Sequence, residues 1–198
     1  IAATRGNHGQ SVAYAGRAHG LPVTIVVPEG NSPDKNASMT GFGAELVVHG
    51  RDFQEAFEQA MTMADARGLC AVPAWHPDLV AGVATAAAEL HDQAGPLDVV
   101  YVPVGQGSGI CAQIAVRDLL GAATEVVGVV AQGAPAYALS FAAGRAVSTP
   151  SADTFVDGVA TRSPDPDAAA VIRAGAARVL TVSDDATALL PQFANLKQ

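Results

Sequence analysis

The stretch VVYVPVGQGSGICAQIA, residues 99–115, places a run of apolar residues directly before a glycine-rich turn and then a helical repeat. Residues 99–104 are almost all apolar, which marks a strand buried on both faces. Gly105, Gln106, Gly107, Ser108 and Gly109 form the turn, and residues 110–120 read as a helix. Strand, glycine turn and helix together suit a phosphate. Glycines let the backbone come close, and the first N–H groups of the helix carry partial positive charge. Ser108 adds a hydroxyl donor. The competing reading is a tight turn that holds no ligand. A dinucleotide fingerprint needs a third glycine where Ile110 stands and an acid after the next strand, which instead ends at Ala131-Gln132. A Gly-Lys-Ser/Thr phosphate loop is absent. A single phosphate on a small cofactor fits best.

The pattern repeats outward. Residues 1–3 read as the end of a strand, so the chain begins inside a domain. Strands are expected at 21–27, 44–48, 69–72, 99–104, Glu125–Ala131 and 177–182. Helices are expected at 11–19, 35–41 (entered at Ser32-Pro33), Phe53–Arg67, 79–93, 110–120, within 133–147, and at 167–175. Trp75-His76-Pro77-Asp78 is read as a loop, and 150–163 as irregular. This alternation predicts an α/β fold of parallel twisted sheets covered by helices. The polar stretch after Trp75 divides it into a smaller unit, 1–75, and part of a larger one, 76–198. Ligands of such folds collect beyond the carboxyl ends of the strands, where RGNHG (5–9) and GQGSG (105–109) both fall.

Of 198 residues, 49% are hydrophobic and only 5% aromatic, so the core is built from Ala, Val, Leu and Ile. A net charge of −8 argues against nucleic acid or an anionic membrane as partner. No stretch is long enough to cross a bilayer and no signal peptide is read. Cys70 and Cys111 are taken as reduced, buried thiols, which points to the cytoplasm.

ATRGNHGQSVA (3–13), VPVGQGSGI (102–110), VVGVVAQGAPA (126–136) and VDGVAT (156–161), taken in order, resemble the fold-type-II pyridoxal-phosphate enzymes. The nearest likeness is the threonine/serine dehydratase group, with serine racemases and the dehydratases of ectoine catabolism. The resemblance implies two Rossmann-like units of the tryptophan-synthase-β-like architecture. It implies that Asn7 holds the 3-hydroxyl of pyridoxal 5'-phosphate and that Thr4, Arg5, Gly6 and His8 frame the substrate carboxylate. Gly105, Gln106, Gly107, Ser108 and Gly109 would cradle the phosphate, although Gln106 and Ser108 stand where many relatives have glycine. GVAT (82–85) stands where relatives often have Gly-Gln-Gly-Thr at a helix start.

The implied reaction is β-elimination from a small amino acid, giving a 2-keto acid and ammonia. The Schiff-base lysine of the group precedes the Asn turn, and the only lysines here are Lys35 and Lys197. Neither matches, so no catalytic residue is assigned. The tail ALLPQFANLKQ (188–198) does not resemble the family's continuation. The chain therefore reads as truncated at both ends and inactive alone. Two alternatives stay open: a non-catalytic phosphate-ligand-binding module, or a racemase or β-replacement enzyme. Relatives imply a homo-oligomer.

The remaining polar residues are read more plainly. His8 belongs to the turn, with proton transfer as the alternative. His76 is a loop residue; His19, His49 and His91 are solvated. Asp153 and Asp157 are solvated or capping rather than cation ligands, and no metal is expected. Ser183-Asp184-Asp185 caps a helix.

Overall fold

The structure is a computed structural model and describes residues 1–188. The chain divides into two compact units, the first Ile1–Ala74 and the second beginning at Trp75.

The first unit runs β1 (Ala2–Ala3), α1 (Asn7–His19), β2 (Thr24–Val27), α2 (Pro33–Gly41), β3 (Glu45–Val48) and α3 (Phe53–Arg67). Its sheet is parallel in the order β1-β2-β3, with Ala2 opposite Ile25 and Thr24 opposite Glu45. The central strand β2 is buried along its whole length. Alternate residues face opposite ways, so each face has its own core. Ala3 and Val26 pack with Ala56, Ala60 and Met63 of α3. Ala2, Ile25 and Val27 pack with Ala13 of α1 and Met39 of α2. Asp52 caps α3 by accepting from Glu55 N at 2.9 Å, and Gly68, in the left-handed region at φ 64°, ends it.

The second unit runs α4 (Pro77–Ala94), β4 (Val99–Pro103), α5 (Ser108–Leu119), β5 (Glu125–Ala131), α6 (Ala136–Ala143), a 3₁₀ turn (Asp157–Val159), α7 (Pro166–Gly175) and β6 (Arg178–Val182). Its sheet is also parallel, in the order β4-β5-β6. The core joins Val126 and Val130 of β5 to Ile110, Cys111 and Ile114 of α5, Tyr137 of α6, and Ala168 and Ile172 of α7. Both units are thus the expected α/β layering.

Several boundaries differ from the sequence reading. Helix α1 starts at Asn7 rather than at residue 11. Gly6 at its N-cap has no side chain to cap it, and the Thr4 hydroxyl takes over by accepting from Gly6 N at 2.9 Å and Gly9 N at 3.2 Å. Residues 69–72 form no strand; they lie beside residue 1 through two bonds, Val72 N to Ile1 O and Ile1 N to Cys70 O, both at 2.8 Å. Cys70 is exposed there, not buried, while Cys111 is buried as expected. Pro77 already begins α4, whose N-cap is His76, its Nδ1 accepting from Asp78 N at 3.2 Å. His91 is buried rather than solvated, 2.8 Å from Gln113 Nε2. GVAT lies inside α4 and not at its start. Lys197 and the tail after residue 188 lie outside the described residues.

Candidate functional site

The glycine turn follows directly from β4. Val104 N still donates to Val129 O of β5 at 2.9 Å, and the chain leaves the sheet at Gly105. A Cβ on Gly105 would stand 2.3 Å from Gly158 O, so the turn closes directly on the backbone of the VDGVAT segment. Gly107 has φ +97°, and a Cβ there would meet Ala168 Cβ at 2.9 Å and Tyr137 Oη at 3.1 Å. Only glycine satisfies both the backbone angle and the packing. Gly109 differs: a Cβ there would meet nothing nearer than Val102 Cγ1 at 3.9 Å. Packing within the protein does not demand glycine at this position.

Helix α5 begins at this turn with Gly107 as its N-cap, and no side chain caps it. Its first intrahelical bond is Cys111 N to Gly107 O at 3.0 Å. The N–H groups of Ser108, Gly109 and Ile110 therefore stand at the positive end of the helix dipole. Gln106 does not obstruct them, because its side-chain amide is turned to Thr161 Oγ1 at 3.4 Å. Ser108 is the first residue of the helix. Three strands end near an apolar cavity of about 330 Å³ whose lining includes Pro103, Ala131 and Val182, the last residues of β4, β5 and β6.

The Asn turn belongs to the first unit. Thr4 is buried and its hydroxyl is committed to the turn's own backbone. Asn7 is exposed as the first residue of α1 and, with Gln10, Ser11, Tyr14 and Phe42, lines a hollow of about 410 Å³. Arg5 has no hydrogen-bond partner for its buried Nε among the described residues. A buried guanidinium nitrogen without a partner costs free energy unless an acceptor arrives from outside. Gly6 lies under Lys35, whose Cδ would be 3.3 Å and Nζ 3.5 Å from a Cβ placed there. His8 Nε2 lies 3.5 Å from Val72 O, and burial lowers its pKa below 6.5, so the ring is neutral at pH 7.

The other polar residues have plainer roles. His19 and His49 are exposed. Asp153 N donates to Gly133 O at 2.8 Å, and Asp157 opens the 3₁₀ turn. Among the described residues no cluster of His, Cys, Asp or Glu suits a metal. Ser183 Oγ accepts from Ala186 N at 3.2 Å, the capping role expected of it. Asp184 accepts from Thr154 Oγ1 at 2.7 Å and Phe155 N at 3.2 Å, which pins the irregular segment. Burial pushes the Cys111 thiol up, so it stays protonated and inert. Tyr137 escaped the sequence reading. Its one signal was a phenol inside a largely apolar helix.

The family model described as pyridoxal-phosphate dependent enzyme matches residues 1–190. The chain belongs to this family. Among curated members it is 36% identical over 165 residues to the biosynthetic L-threonine dehydratase of Escherichia coli (strain K12), covering 82% of this chain and 32% of the relative. It is 31% identical over 185 residues to the L-threo-3-hydroxyaspartate ammonia-lyase of Saccharomyces cerevisiae, covering 93% of this chain and 57% of that protein. Among solved structures, a threonine deaminase from T.th. superposes with a TM-score of 0.89 at 31% identity, over 100% of this chain and 66% of that one. The chain thus spans about a third of the length of the E. coli dehydratase it matches. The family's cofactor, pyridoxal phosphate, suits the second unit's turn: a phosphate needs convergent N–H donors and room, and α5 offers both beside Gly109.

Proposed function

We propose that this chain supplies the cofactor-binding part of a pyridoxal-phosphate-dependent amino-acid ammonia-lyase of the threonine/serine dehydratase type. The observation that carries the reading is the uncapped start of α5 beside a glycine, Gly109, that no neighbour in the protein requires. The backbone N–H groups of the 105–109 turn and of Ile110 hold the phosphate, with the Ser108 hydroxyl as a further donor. Asn7 holds the ring's 3-hydroxyl. Arg5, with Thr4, Gly6 and His8, frames the substrate carboxylate; its unpartnered Nε supports this part. His8, neutral at pH 7, presents no competing positive charge.

Pyridoxal phosphate supplies an electron sink that stabilises the carbanion at the substrate's α-carbon. The chain's own residues bind and orient; neither Lys35 nor Lys197 takes the role of the family's lysine, so the 198 residues by themselves bind the cofactor without turning over substrate. A cytoplasmic homo-oligomer acting on a small amino acid completes the reading. Among the described residues no helix is long and apolar enough to cross a membrane.

The test is Gly109→Val. A Cβ here meets nothing nearer than Val102 Cγ1 at 3.9 Å, and on the reading proposed the added side chain occupies the cradle. The variant is expected to fold like the parent and to lose saturable pyridoxal-phosphate binding, read by absorbance titration. Binding equal to the parent's would mean that the turn only joins a strand to a helix.

A further inference from the structure

Beneath the phosphate turn lies a buried phenol with a defined set of partners. Tyr137 is 1% exposed. Its hydroxyl donates to Gln106 O, inside the turn, at 2.8 Å. It accepts from Asp165 N at 3.3 Å. Asp165 is in turn the N-cap of α7, its carboxylate accepting from Asp167 N at 2.9 Å and Ala168 N at 3.0 Å. One side chain on α6 therefore ties the turn to the start of α7.

The peptide joining residues 106 and 107 is planar and trans, so its C=O and N–H point in opposite directions. Drawing the Gln106 carbonyl inward onto Tyr137 Oη aims the Gly107 N–H away from the tyrosine. A reversed peptide would leave a buried hydroxyl and a buried carbonyl without their bond. Gly107 is also confined from this side, since a Cβ there would stand 2.9 Å from Ala168 Cβ and 3.1 Å from Tyr137 Oη.

We infer that Tyr137 is a positioning residue for cofactor phosphate: by anchoring the Gln106 carbonyl it sets the orientation in which the 105–109 turn offers its N–H groups. The inference rests on the reading of that turn as the phosphate cradle. Burial raises the phenol's pKa, so it remains a donor throughout the working range of pH. Tyr137 touches neither cofactor nor substrate and acts only through the turn.

Tyr137→Phe keeps the ring that fills the core and removes only the hydroxyl. Ser140→Ala is the matched control. It deletes a buried hydroxyl of the same helix whose partners, Ala136 O at 2.7 Å, Val147 N at 2.9 Å and Val147 O at 3.4 Å, are not residues of the turn. Parent and both variants are titrated with pyridoxal phosphate and with pyridoxal, which has no phosphate, and melted in parallel. Losing one such bond is expected to weaken pyridoxal-phosphate binding about tenfold in Tyr137→Phe. Pyridoxal binding stays unchanged in every protein, and Ser140→Ala binds both compounds like the parent. A purely structural tyrosine would lower the melting temperature and leave the difference between the two compounds intact.

Hydrogen exchange supplies a second readout. Tyr137→Phe is expected to exchange faster in the peptide covering 104–112 than the parent does, with the first unit unaffected. Equal affinity and equal exchange in parent and Tyr137→Phe would overturn the inference while the cradle stands. A parent with no saturable pyridoxal-phosphate binding would overturn the cradle and this inference together.

Discussion

His8 carries the clearest pH dependence of any single residue in the first unit. Its folded pKa lies below 6.5, mainly because burial disfavours the charged ring. The unfolded chain therefore binds more protons than the folded one in the window between the lowered value and 6.5. Stability is expected to fall as pH drops through that window and to level off below the folded value. Thermal melts from about pH 7 to about pH 5 check this, and His8→Gln should flatten the decline. A melting temperature that rose on acidification, with His8→Gln removing the rise, would reverse the sign and contradict the buried, neutral ring. The sequence placed His8 in the turn but gave no hint of Val72, because that contact joins positions far apart in the chain. Tyr137 was hidden for the same reason: its partners, Gln106 and Asp165, come from two other segments. Arg5 was legible as part of a substrate-framing turn, whereas the missing partner of its Nε appears only in three dimensions.

Helix ends decide how firmly the second unit's turn is supported. Asp165 caps α7 with two bonds, and that helix brings Ala168 and Ile172 against Gly107. Asp165→Ala removes the carboxylate while leaving the backbone N–H that Tyr137 accepts. It is expected to cost about 1 kcal/mol and about 3 °C in melting temperature, measured by calorimetry; no change would mean that α7 needs no side-chain cap. Elements with strong local signals were read correctly. Helix α3 and strand β5 have the predicted bounds because a cap, a regular apolar repeat and a closing glycine, or two valine pairs flanking Gly128, lie within the segment itself. Residues 69–72 looked like a strand by composition, but strand formation needs a full hydrogen-bonded ladder, and only isolated bonds to residue 1 form. The early start of α1 depends on Thr4 acting as a cap from outside the helix, a role that nearby sequence does not signal.

At the scale of the molecule, the motifs that carried the resemblance are largely those that pack on one another. VDGVAT meets Gly105 through Gly158 O, and Tyr137, the residue after VVGVVAQGAPA, stands against Gly107. Asp153 N bonds Gly133 O beside them. The α/β layering was legible because apolar runs mark the strands; β2 and most of β5 are buried as such runs suggest, whereas β3, β4 and β6, at the edges of their sheets, are partly exposed, 99–104 among them. Which segments close on the glycine turn was not legible, since packing partners leave no periodic trace. The central claim is that this turn binds the phosphate of pyridoxal phosphate and that no lysine of the 198 residues serves as its imine partner. Lys35 makes that claim exacting, because its side chain lies directly over Gly6 of the Asn turn. The most direct measurement is a pyridoxal-phosphate titration of the purified chain, followed by borohydride trapping and peptide mass analysis. The account predicts saturable binding that inorganic phosphate competes away, with no specific adduct on Lys35 or Lys197. A stoichiometric adduct on either lysine, or no saturable binding at all, would contradict it.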